Sequence, residues 1–453
     1  MPMEAGISNH RTTTTFTMLV ALSAATAGLI FGYDVGVVNS ALVFIRKEFG
    51  LNAVATEILA SAQFWGCVVG APLGGWIADR FGRHRALMWS GMLFGAADIG
   101  ASMSGVFWQL LAARLIVGVG VGAALVVAPM YIAEIAPAHS RGRLVTANQL
   151  GVVSGILVGF ICNFALAKAT NGDWRILFAV GAVPALAMCV SLIWTPESPR
   201  WLYQRGDCER AMKVLNRIET GPEAERTLQQ ISTSAGERKG SYRELIGPAL
   251  RKPLVLAVML AIIQQVTGIN TVMYYGSILF AENTGASAVQ AIGMNILVGI
   301  VNLVFTILGL LMIDKLGRRP LLLIATAGMG LCLAVFVVML HLVPNRPFVL
   351  LIPILAYVGS FAFGLGTAVW VCLSELFPGH LRGRAMSIAT MMLWISVSCV
   401  GATFLSLIKA FGISGVFLGY SALCFASFVY IMICLPETRN RTLEEIETFW
   451  SKG

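Results

Sequence analysis

A carboxylate, Asp34, interrupts the apolar stretch LIFGYDVGVV at residues 29–38, and a guanidinium, Arg114, interrupts AARLIVGVGVG. Arg114 is the one other obvious full charge deep in the first half of the chain. In a low-dielectric run a carboxylate is pushed toward its neutral form, while a nearby cation pulls it back toward the ionised one. A partner that comes and goes makes a proton switch; a partner that stays makes a static pair that only fixes helix packing. A second constellation is uncharged. The segment IIQQVTGINTVMYYG places Gln264, Gln265, Asn270 and Tyr274 within about one to three helical turns, with Gly268 between them where a helix can unwind toward a ligand. Amides donate and accept without charge; the plainer reading of this pair of glutamines is interhelical hydrogen bonding.

The elements that hold these groups are set by composition. The chain is 57% hydrophobic and 12% charged over 453 residues, where a soluble domain carries roughly 25% charged residues, and its mean hydropathy is +0.78. At about 20 apolar residues per crossing, candidate spans fall near 16–38, 53–77, 86–106, 108–133, 144–167, 176–195, 253–281, 289–312, 320–342, 348–376, 385–408 and 413–435. Long continuous apolar runs exclude a barrel of short alternating strands, and backbone satisfaction in lipid leaves an all-α membrane protein of twelve transmembrane helices. The N-terminal segment, with one arginine and no small-residue cleavage site, is expected to stay as the first helix. The nine cysteines lie mostly inside spans without metal-ligand spacing, which predicts packing roles and no disulfides. No nucleophile, metal cluster or phosphate loop is present, so no enzyme, metal or cofactor is expected.

The excess of nine positive charges is explained by where the basic residues lie. Alternate connections hold most of the Lys and Arg, including Arg80, Arg83, Arg85, Arg141, Arg143, Lys315, Arg318, Arg319, Arg382 and Arg384, together with a basic loop after residue 200; the opposite side holds Arg46, Lys47, Lys168, Arg175, Arg346 and Lys409. The asymmetry predicts cytoplasmic termini and makes nucleic acid unnecessary as a partner.

The chain is also written twice. DRFGRHR at 79–85 returns as DKLGRRP at 314–320, EIAPAHSRGR at 134–143 as ELFPGHLRGR at 375–384, and PES at 196–198 as PET at 436–438. Fixed spacing of this kind marks an internal repeat and predicts a six-helix bundle at 1–195, a cytoplasmic helical linker at 196–252, a second six-helix bundle at 253–438 and a short tail at 439–453, the two-lobed plan of a transporter that rocks about a central site. Asp79, Arg83, Glu134, Arg141, Asp314, Arg318, Glu375 and Arg382 would then latch the cytoplasmic side, or else serve as solvated loop charges.

FGYD at 31–34, DRFGRHR, PESPRWL at 196–202, QQVTGIN at 264–270, DKLGRRP, both RGR triplets and LPET at 435–438 together resemble the sugar porter family of the major facilitator superfamily along essentially the whole chain. The resemblance implies alternating access for a monosaccharide or related polyol without covalent chemistry. It implies that Asp34 and Arg114 form the proton-coupling pair; that Gln264, Gln265, Asn270, Tyr274, Asn302, Trp370 and Trp394 line the cargo site, with Phe31 and Asn163 expected to face the same cavity; and that Glu197 and Glu437 join the cytoplasmic charge clusters. An indole offers the apolar plane that the C–H face of a sugar needs. Two departures make some walls less polar: Ile156 and Val397 stand where many members have glutamine and asparagine, and Leu393 adjoins Trp394. The expected function is proton symport of a hexose, pentose or inositol by a monomer in a bacterial inner membrane; a proton-independent facilitator and a transporter-like sensor are the alternatives.

Overall fold

The computed structural model describes every residue except 1, 2, 137–140, 220, 237–241, 285, 286, 344, 345, 378 and 438–453; the side chain of Arg141, the predicted tail and both motif prolines, Pro137 and Pro378, lie outside the described part. The described chain is helical throughout: α1 (Met3–Glu48), α2 (Ala53–Phe81), α3 (Arg83–Ser102), α4 (Phe107–Ile135), α5 (Arg141–Ala169), α6 (Trp174–Leu192), α7 (Pro199–Gln204), α8 (Cys208–Ile218), α9 (Gly221–Gly236), α10 (Tyr242–Leu245), α11 (Pro248–Val266), α12 (Ile269–Thr284), α13 (Ala288–Leu316), α14 (Arg318–Leu342), α15 (Pro347–Phe363), α16 (Leu365–Glu375) and α17 (Gly379–Cys434).

Ten segments among the described residues are long and apolar enough to span a bilayer. Two further spans complete the twelve read from the sequence. The helix α3 falls short in hydropathy because it opens on Arg83-His84-Arg85 and carries Asp98, and α17 holds two crossings joined at Gly412, where φ is 72° and ψ 164°. The seventh and tenth spans are each broken in two, between α11 and α12 and between α15 and α16. Within the linker, Asp207 caps α8 by accepting from the Arg210 amide at 3.1 Å, and Ala211, Val214, Leu215 and Ile218 form its buried stripe, the period expected of an amphipathic helix.

The chain forms two compact units. The first comprises Met1–Asp34, Gly66–Gly155 and Phe178–Arg238; the second comprises Val35–Trp65, Ile156–Leu177 and Lys239–Gly453. In the first unit α3 packs along α4; in the second, α14 packs on α15 and α17, and α11 on α17. The second unit thus gathers the last third of α1, the early half of α2 and the later half of α5 with the whole C-terminal repeat.

Candidate functional site

Asp34 and Arg114 meet inside the first unit. The Arg114 guanidinium donates from both terminal nitrogens, at 2.7 Å to Asp34 Oδ1 and 2.9 Å to Oδ2, and each residue is 1% exposed. Phe178 on α6 lies beneath the guanidinium, with its ring centroid 5.3 Å from Cζ, a cation–π contact that suits a cation removed from water. The planar fork fixes the geometry as well as the charge, and removing one member would strand the other in low dielectric at a cost of about 3–5 kcal/mol.

The expectation that Arg114 has a single charged companion in this half is corrected by the structure. Asp98 on α3 is also 1% exposed, and its Oδ1 lies 4.0 Å from the same Arg114 nitrogen. Asp98 stands in GAADIGAS, a span otherwise apolar, and the rule applied to Asp34, that an ionisable group within a span is a functional candidate, selects it as well.

The amide cluster sits in the second unit at the break between α11 and α12. Gly268 has φ of +87°, and a Cβ there would lie 2.6 Å from the Tyr420 ring, so both conformation and space require glycine. The backbone freed by the break is satisfied from the other broken span: Tyr357 on α15 donates its hydroxyl to the Thr267 carbonyl at 2.8 Å, and Gln264 donates to the Leu365 carbonyl at 2.9 Å. Non-helical backbone at membrane depth persists only with such partners. The amides form a directed chain, Asn270 donating to Gln265 at 2.5 Å and Gln265 to Gln264 at 3.3 Å. Gln264 is therefore committed to holding the helices, while Gln265 and Asn270 retain unused lone pairs and N–H groups.

Tyr274 and Trp394 are brought together through Phe64 of α2, a residue the sequence did not single out. The Phe64 ring lies 4.7 Å edge-on to Tyr274 and 6.3 Å from the Trp394 ring in near-parallel stacking. Asn302 is buried on α13. Trp370, on α16, is half-buried. Asn163 on α5 is fully buried and donates to the Gly159 carbonyl of its own helix at 2.6 Å. Phe31, half-buried on α1, belongs to the first unit with Asp34 and Arg114. Ile156 and Val397 are both buried.

A further polar set in the second unit joins the N-terminal repeat to the C-terminal one. Asn39 on α1 donates to the Met273 carbonyl at 2.7 Å and accepts from the Ser277 amide at 3.1 Å and hydroxyl at 2.5 Å. Asn295 on α13 donates to the Ser277 hydroxyl at 3.1 Å. Glu57 on α2, 1% exposed, accepts from the Ser406 amide and hydroxyl on α17, each at 2.6 Å. Arg46 pairs with Glu282 at the end of the same seam.

The duplicated motifs build the same device twice. In the first unit Arg83 reaches Glu134 at 3.0 Å and Asp79 at 3.3 Å, while Glu197 accepts from the amides of Arg83 at 2.7 Å and His84 at 3.1 Å. In the second, Arg318 reaches Glu375 at 2.9 Å and Asp314 at 3.2 Å, while Glu437 accepts from the amides of Arg318 and Arg319, each at 3.1 Å. Each distant carboxylate thus caps a helix N-terminus, where unpaired N–H groups and the helix dipole favour an anion. The glycine of D-x-x-G-R leaves room for it: a Cβ on Gly82, φ +103°, would come 2.0 Å from Glu197, and one on Gly317, φ +94°, 2.7 Å from Glu437. Each of these contacts joins residues of a single unit. Arg382 lies half-buried near the start of α17.

Comparison with known proteins follows this geometry. A family model described as "Sugar (and other) transporter" matches residues 20–450. The arabinose-proton symporter of Bacillus subtilis (strain 168) is 33% identical over 96% of this chain and 96% of its own length. The major myo-inositol transporter IolT of the same organism is 33% identical over 95% of this chain and 94% of its own. Among solved structures, the inward-open conformation of the xylose transporter XylE from E. coli matches with a TM-score of 0.85 and 31% identity, covering 96% of this chain and all of that one.

Proposed function

This chain belongs to the sugar porter family of the major facilitator superfamily, and from that membership we propose that it imports a monosaccharide or cyclic polyol together with a proton by alternating access. The observation that carries the coupling is the Asp34–Arg114 pair, bidentate and sealed from water. A neutralised carboxylate releases the guanidinium, and a re-ionised one recaptures it; the helices that carry them, α1 and α4, respond to each change. One proton moving down a 100 mV potential supplies about 2.3 kcal/mol, enough to sustain a roughly 50-fold sugar gradient at 1.4 kcal/mol per tenfold.

Cargo recognition is assigned to Gln265 and Asn270, whose free amide groups meet hydroxyls, with Asn302 and Asn163 as further polar contacts and Trp394, Trp370 and Tyr274 offering apolar faces. Gln264 positions the two broken spans. Ile156 and Val397 remove two polar contacts from the walls. With both termini cytoplasmic, the seam through Asn39, Glu57 and Arg46 lies on the outer side and closes it. The paired clusters around Arg83 and Arg318 then brace the inner ends of the two repeats. The protein works as a monomer in the inner membrane.

The test is external pH in a weakly buffered, de-energised suspension of cells expressing the transporter, as hexoses, pentoses and inositols are added in turn. Alkalinisation by one class of cargo, abolished in Asp34→Asn while labelled cargo still exchanges, is the expected result. Equilibration of labelled cargo with no alkalinisation by the unmodified protein would make it a facilitator and leave Asp34 a packing residue.

A further inference from the structure

We propose that the transported proton is held by a pair of carboxylates, Asp34 and Asp98, and that in the arrangement seen here it resides on Asp98. The inference rests on the symport reading above and extends it to a residue on a third helix. Three ionisable groups share one site: Asp34 on α1, Arg114 on α4 and Asp98 on α3, each 1% exposed. Both terminal nitrogens of the guanidinium are committed to Asp34, at 2.7 and 2.9 Å. Asp98 Oδ1 is left 4.0 Å from the nearer of them and has no hydrogen-bond partner among the described residues.

With both carboxylates ionised the site would bury a net negative charge, which proteins avoid by protonating one member of the set. The proton belongs on the carboxylate with the fewer donors, and that is Asp98. The charges that act on Asp98 are those of Asp34 and Arg114; the other titratable groups nearby are Cys67 on α2, which faces the same pair, and Tyr33 on α1, which lies beside Gly181. On α6 the neighbour is Gly181 itself: a Cβ there would lie 2.5 Å from Asp98 Oδ2, so the glycine makes the space that the carboxyl occupies. Arg114 can then pass from Asp34 to Asp98 as the proton passes the other way, and the cycle still carries one proton per cargo molecule.

The experiment uses the full-length transporter in proteoliposomes, reading cargo exchange, cargo-induced proton uptake and the pH dependence of KM. In Asp98→Asn, exchange persists, accumulation against a gradient falls to a ratio of one, and KM no longer responds to pH. An Asp98→Asn protein that keeps the wild-type proton uptake per cargo and the wild-type pH profile overturns the proposal. A second pair of variants covers loss of folding: Asp98→Gly alone should lack coupling, and Asp98→Gly combined with Gly181→Asp, which returns a carboxylate to the same space from α6, should regain it. Coupling in Asp98→Gly alone, or a double variant that exchanges cargo without regaining coupling, also overturns it. Absence of proton uptake in the unmodified transporter is a different result, which removes the symport reading itself.

Discussion

Replacing Asn39 by alanine should open the outer side. Asn39 is completely buried and serves as donor to the Met273 carbonyl at 2.7 Å and as acceptor for the Ser277 amide and hydroxyl at 3.1 and 2.5 Å. A buried group left without its partner costs about 1–3 kcal/mol; with relaxation and water entry sharing the loss, the three contacts together amount to about 3 kcal/mol. If the seam exists only when the outer side is closed, this energy falls entirely on one side of the conformational equilibrium, and at 1.4 kcal/mol per tenfold it shifts the closed-to-open ratio by roughly 100-fold. The readout is a cysteine placed at Ile278, which is 3% exposed here, labelled from outside the cell by an impermeant maleimide and quantified on its own peptide so that native thiols do not interfere. Asn39→Ala should label many times faster than the parent carrying the same cysteine, and added cargo should alter the rate. A labelling rate within twofold of the parent, in a protein that still exchanges cargo, would show that the seam does not set the equilibrium.

Two contrasts follow from the same geometry. Gln265→Ala should raise KM for the cargo about 5- to 150-fold, the loss of about 1–3 kcal/mol from a hydrogen-bonding group, whereas Gln264→Ala, which frees the Leu365 carbonyl at the helix break, should chiefly lower thermal stability in detergent; equal KM effects from both would remove the division of labour between them. Arg83→Ala should destabilise the protein by about 3 kcal/mol, because Glu134 is left largely buried without its cation, while Asp79→Asn should change the unfolding temperature little, since the Asp79 side chain is 73% exposed and such pairs contribute about 0–1 kcal/mol. Comparable losses from the two would mean that the cluster is not held by its buried member.

The sequence made the spans, the repeats and the linker helices legible because each is written locally, in apolar length, in repeated motifs or in amphipathic period. Asp34, Arg114 and the QQVTGIN amides were legible for a related reason: each is a polar interruption of an apolar run. Applied throughout, the same criterion would also select Asp98 and Glu57, yet an isolated carboxylate in a span acquires meaning only from its partner. Those partners are distant in sequence, Arg114 for Asp98 and Ser406 for Glu57. Phe64 was illegible altogether, since a phenylalanine in an apolar helix carries no mark until Tyr274 and Trp394 are seen against it. The helix breaks were half legible: Gly268 announced one, but the capture of its free carbonyl by Tyr357 depends on a contact across 90 residues of chain.

The division of chemistry between the repeats has a physical reason. Both repeats keep the charge-and-cap device built on D-x-x-G-R, which stabilises helix ends. The charged set Asp34, Asp98 and Arg114 belongs to the first unit, and the amides around Gly268 to the second. A fixed charge beside a neutral sugar would hold water that the sugar would have to displace, and on the proposed assignment no cargo contact comes from these charged residues. Communication then falls to α1, which carries Asp34 and Asn39 five residues apart, about 7.5 Å along the axis and roughly 140° around it. One face of this helix answers to Arg114 and another to Met273 and Ser277. A change in the Asp34 contact that rotates or shifts α1 by a fraction of a turn breaks the Asn39 hydrogen bonds, whose reach is only a few tenths of an ångström beyond their present lengths. On this reading the outer seam is sensitive to protonation because the helix that closes it is the helix that holds one end of the proton switch.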